Sequence, residues 1–129
     1  HFLRGGLRSS FPVADPLSAS IEPRIARMFC DDFNEERYWE ASMVLGIDLL
    51  GGGDHWLNLS WEPGRREYLL AENEIYSDFY FNRLSAMGSL KTPDGSTIGV
   101  FVMHDPERHA RRDDDFSITM ISVTLTRDF

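Results

Sequence analysis

Met43-Val44-Leu45-Gly46-Ile47-Asp48-Leu49-Leu50 and, after a glycine run, Leu57-Asn58-Leu59-Ser60-Trp61-Glu62 decide how this chain is read. In both stretches the apolar residues recur every second position. Only an extended strand puts such residues on one face. Met43, Leu45, Ile47 and Leu49 form one such row, and Leu57, Leu59 and Trp61 another, with Asn58, Ser60 and Glu62 pointing the other way. Gly51-Gly52-Gly53 between them reads as a connection, since it lacks the Lys-Ser/Thr of a phosphate loop.

Outward from this pair the strand pattern continues. Pro63-Gly64 reads as a turn, with Arg66 to Ala71 returning as a hairpin. Phe79 to Leu90 and Ile98 to His104 read as strands joined at Pro93-Asp94-Gly95, the strongest turn signal in the chain. In the last segment Phe116, Ile118 and Met120 are in phase, and Ile121, Val123 and Leu125 are out of phase with them. That break predicts a bulge near Met120-Ile121.

Toward the N-terminus the period changes. Ile21, Ile25, Met28, Phe29 and Phe33 fall at helical spacing, with Ser20 placed as an N-cap and Pro23 in the first turn. Residues 1–19 carry Gly5-Gly6, Phe11-Pro12 and Asp15-Pro16 and read as an extended arm or leader. The expected architecture is therefore α+β. An arm over 1–19 precedes a single domain over 20–129, an N-terminal helix packed on a curved antiparallel sheet of about six strands.

The chain has 129 residues, 42% hydrophobic, with a net charge of -8. Residues 1–30 are locally basic at +2, which leaves -10 on the remainder. Such a body repels phosphate backbones and anionic membrane surfaces, and no run approaches the ~18 apolar residues of a helical span. The expectations are no nucleic acid, no membrane, and a basic protein as partner. Cys30 is the single cysteine, so no intrachain disulfide forms; this fits a soluble protein of the cytoplasm or another reducing compartment. Cys30 itself, between Phe29 and Asp31, reads as a small buried hydrophobe. With no initiator Met, the chain reads as a piece of a longer product.

No sequence signature of an esterase elbow, a zinc helix or a calcium loop is present. His104-Asp105-Pro106-Glu107-Arg108-His109 is the richest stretch in titratable groups, but its spacing matches no metal pattern. Neither metal nor cofactor is expected. Acids interleaved with aromatics supply the binding candidates: Tyr38, Trp39, Trp56, Glu72, Glu74, Tyr76, Asp78 and Tyr80. Carboxylates give long-range attraction and rings give short-range burial, which favours a non-catalytic acidic binding module of inhibitor, immunity or adaptor type. The alternatives are a small enzyme or ligand-binding domain using His55, His104, Glu74 and Asp78, and an assembly subunit that forms homo-oligomers through its N-terminal arm.

Overall fold

Alternation of apolar and polar residues runs through nearly the whole chain, and the chain answers with strands throughout. The computed structural model describes residues 1–30, 33–50, 55–70 and 74–127. Its strands are β1 (Phe2–Gly6), β2 (Ser9–Ala14), β3 (Leu17–Met28), β4 (Tyr38–Leu50), β5 (Trp56–Tyr68), β6 (Phe79–Lys91), β7 (Ser96–His109) and β8 (Phe116–Arg127). They form one antiparallel sheet in the order β1-β3-β4-β5-β6-β7-β8, with β2 following β1 along the same edge of β3. Two single 3-10 turns, Asn34–Glu36 and Arg112–Asp114, are the helical elements among the described residues.

The expected N-terminal helix is a strand, and the fold is all-β instead of α+β. Residues 20–28 belong to β3, whose whole length pairs with β4 from Leu17↔Leu49 to Met28↔Tyr38. The segment carries two periodicities at once. Leu17, Ala19, Ile21, Pro23 and Ile25 alternate with Ser18, Ser20, Glu22, Arg24 and Ala26, and the neighbouring strands select this second pattern. Pro23 is tolerated because β1 pairs with Arg24–Met28 and β2 with Leu17–Ile21, so the proline falls where the edge is interrupted. Residues 1–19, read as an arm, supply β1 and β2 to the sheet.

Two further local readings change. Pro63-Gly64 does not turn the chain; β5 runs straight through it. No bulge occurs at Met120-Ile121, because the β7–β8 register is continuous from Ser96↔Arg127 to Glu107↔Phe116. The strand simply moves its apolar residues from one face to the other at that point. The register irregularity lies instead between Pro12 and Ala14. The Pro93-Asp94-Gly95 turn forms as read, with Gly95 at φ 84°. Gly51 to Gly53 lie outside the described residues.

Register lines determine the two faces. Ile21, Leu45, Trp61, Leu84, His104 and Thr119 are neighbours in one row across six strands. Parity then assigns every strand residue to this face, called here the apolar face, or to the opposite polar face. The connections differ between the two ends of the sheet. Residues 15–16, 51–55 and 92–95 link strands at one end, and the longer segments 29–37, 69–78 and 110–115 at the other.

Candidate functional site

The two faces are inverted relative to a sheet that packs a core under one side. Among the described residues, every buried one except Ser96 lies on the polar face: Ser20, Ala26, Gly46, Glu62, Phe79, Phe81 and Asp105. On the apolar face Leu45, Ile47, Leu59, Trp61, Leu84 and Ile121 are all exposed, from 37% to 71%. Ala19 and Ala86 leave a shallow hollow of about 710 Å³ among them.

Glu62 is the centre of the polar face. Its carboxylate accepts from Ser42 Oγ at 2.8 Å, Arg83 at 3.2 Å, and Arg4 and Arg24 each at 3.4 Å. Arg83 continues to Asp105 at 2.6 Å and Arg24 to Glu22 at 2.6 Å. Arg66 holds Glu40 at 2.5 Å, and Arg8 reaches Asp48 at 3.2 Å. Charges withdrawn from water need such partners. The result is a ladder of alternating sign across the sheet. Charged side chains on the apolar face lie at its two ends: Arg127 near the shorter connections, and Arg27, Arg65, Glu67 and Arg108 near the longer ones. There Arg27 sits over Trp39 at 4.6 Å and Arg65 over Tyr80 at 5.1 Å.

The candidates read from sequence are divided by this geometry. Trp39 and Tyr80 lie on the apolar face. Tyr38 is on the polar face under Arg66, 4.1 Å away, and edge-on to Tyr68. Tyr76 stacks on Tyr68 with centroids 5.2 Å apart, and Asp78 accepts from the Tyr68 backbone N–H at 2.7 Å. Tyr38, Tyr76 and Asp78 are thus brought together. Trp56 begins β5 at the opposite end. Glu74 is exposed and contributes its carbonyl to Arg111 at 2.8 Å. Glu72 lies outside the described residues. The catalytic alternatives do not converge: His55 accepts from the Lys91 backbone, His104 pairs with Thr119 on the apolar face, and Glu74 and Asp78 belong to the connection ahead of β6. Cys30 is half-buried.

Sequence reading missed the ladder. Its signal was present as Glu22, Arg24, Glu40, Glu62, Arg83 and Asp105, all out of phase with the apolar rows, but pairing across strands is needed to see it. Comparison with protein-family models, curated proteins and solved structures finds no match for this chain.

Proposed function

We propose that this chain forms part of the wall of a membrane-spanning β-barrel, its apolar face against lipid acyl chains and its polar face toward an aqueous interior. The observation that carries the reading is the inversion: along β3 to β7 the middle of one face is apolar and exposed, while the ladder carboxylates on the other are shielded. In lipid, every backbone group needs an internal partner, which strands in a closed sheet supply. Among the described residues no helix is long and apolar enough to cross a membrane. That criterion does not address strands, and neither did the expectation of no membrane contact, which rested on helical spans and net charge.

Dimensions support the reading. Trp39 to Leu49 covers about 34 Å of strand at ~3.4 Å per residue, or about 26 Å along the normal at ~40° tilt, close to the ~25 Å apolar band of such barrels. Aromatic and arginine side chains at one end match an interfacial belt. Short connections at one end and long ones at the other are also typical of these barrels. The edges carry a further constraint. β1 and β8 run in the same direction, so they cannot pair with each other antiparallel. Antiparallel closure requires an odd number of added strands, and we read this sheet as a segment of a larger wall.

Docking on a basic protein has less support, because Glu22, Glu40, Asp48, Glu62 and Asp105 each already hold an arginine. Tryptophan fluorescence separates the readings. Variants retaining only Trp61 or only Trp56 are folded into phosphatidylcholine vesicles with brominated acyl chains. Strong quenching of Trp61, with Trp56 little affected, is expected. Trp61 unquenched by bromolipid but quenched by aqueous iodide, with strand dichroism intact, overturns the proposal.

A further inference from the structure

We propose that Ser77, His109 and Glu107 form a nucleophile, base and orienting acid that cleave carboxylic esters with an apolar acyl group. This stands apart from the membrane reading, since it rests on a cluster at the long-connection end. Ser77 Oγ lies 3.1 Å from His109 Nδ1, and His109 Nε2 lies 3.2 Å from Glu107 Oε2. A hydroxyl on a ring nitrogen, with the other nitrogen held by a carboxylate, is the arrangement that activates a serine.

The imidazole is held in place. It stacks on Phe79 with centroids 4.6 Å apart, and its side chain is 11% exposed. The backbone around it is pinned as well: His109 N–H donates to Asp115 at 2.6 Å, and Ala110 N–H donates to the Asp78 carbonyl at 2.7 Å. The second contact ties the end of β7 to the segment that carries Ser77. Ser77 also lies 2.9 Å from Asp114 Oδ2, whose charge is met by Arg111 Nε at 3.0 Å. The hydroxyl donates to that carboxylate, so attack requires the proton to turn from Asp114 to His109 Nδ1, 3.1 Å from the oxygen. Phe116, 47% exposed, lies beside the imidazole with ring centroids 6.1 Å apart, and exposed Ile75 and Tyr76 precede Ser77 in the chain; this is the apolar surface offered to an acyl group.

In the reaction Ser77 Oγ bonds to the ester carbonyl carbon as its proton passes to Nδ1. The carbon–oxygen bond to the alcohol then breaks, and the alcohol leaves with that proton. Water repeats the sequence on the acyl-serine, releasing the acid and restoring the hydroxyl. Glu107 is a positioning residue, fixing the ring so that Nδ1 faces the serine.

The test is labelling of the folded full chain, in detergent micelles, with an alkyl fluorophosphonate, followed by intact mass and peptide mapping. One adduct on Ser77 is expected, absent in S77A and formed about 100-fold more slowly in H109Q, the scale of a lost general base. With p-nitrophenyl esters, E107Q should lower kcat and leave KM unchanged, and E107D should recover part of the rate. Strand dichroism monitors folding, and S77A, the smallest change, still tests the assignment if H109Q fails to fold. No adduct on Ser77 in the folded wild type, or equal labelling of H109Q, overturns the proposal; it would make the cluster a charged bridge between Glu107 and Asp114.

Discussion

The ring of Phe81 lies directly over Gly64: a Cβ built on that glycine would stand 2.1 Å from Phe81 Cζ. Both residues are on the polar face of neighbouring strands, and Phe81 is only 3% exposed, so the ring has little room to yield. Gly64 is required here by close approach, not by a turn. Gly64→Ala should destabilise the fold by about 1–3 kcal/mol through overpacking. Gly64→Ala combined with Phe81→Leu should recover part of that loss, a coupling that chemical denaturation of the four-member cycle would measure. Strict additivity would refute the contact.

The same pair explains one limit of reading this sequence. Pro63-Gly64 has the composition of a turn, and only the ring on the next strand gives the glycine another purpose. Over residues 20–28 the chain satisfied helical and alternate spacing together, and the choice belonged to β4, which lies beyond any local window. Alternation at Met43–Leu49, Leu57–Trp61 and Ile98–Val102 was legible because each row is long and uninterrupted. So was the Gly95 turn, because its chemistry is local. The face a row presents to its surroundings was not legible: period two says that Leu59 and Asn58 point apart, not which of them is shielded. The Ser77–His109 contact spans 32 positions and follows no spacing rule.

Glu62 holds three arginines with a side chain 8% exposed. Removing its charge leaves Arg4, Arg24 and Arg83 to repel one another around a shielded position. Breaking a buried pair costs roughly 3–5 kcal/mol, and because these arginines are partly exposed the lower end applies. Glu62→Gln should therefore cost about 3 kcal/mol. Adding Arg4→Gln should restore some of it, since Arg24 keeps Glu22 and Arg83 keeps Asp105 when Glu62 loses its charge. A loss under about 1 kcal/mol in urea titration would mean that the ladder is ornamental to stability.

Two carboxylates at the connections predict the acid limb of stability. Asp94 is held below the usual aspartate range by the Thr92 hydroxyl first, then by the backbone and side chain of Ser96. Asp115 is lowered by the His109 backbone N–H first, then by Arg108. A carboxylate lowered on folding stabilises fully above its unfolded value of ~3.9, and that contribution disappears as pH falls through the lower folded value. The melting temperature should be flat from about pH 7 to 5 and decline below about pH 4. Asp94→Asn with Asp115→Asn should flatten that decline. An unchanged acid limb in the double variant would place its origin elsewhere.

Adjacent residues Asn58 and Leu59 offer the sharpest comparison of the two faces. Asn58 Nδ2 donates to Asp48 Oδ1 at 2.7 Å on the polar face, and Leu59 is 43% exposed on the apolar face. An arginine at 58 keeps Asp48 as partner and faces the ladder. At 59 it faces whatever covers the apolar rows. In a bilayer that substitution falls near the middle of the band, where arginine costs about 2–4 kcal/mol. In water it would cost little, because the position is open. Urea unfolding in vesicles should show Leu59→Arg destabilised by that amount and Asn58→Arg by less than half of it. Equal effects at the two positions, or a stabilised Leu59→Arg, would remove lipid as the medium that makes an exposed apolar face stable.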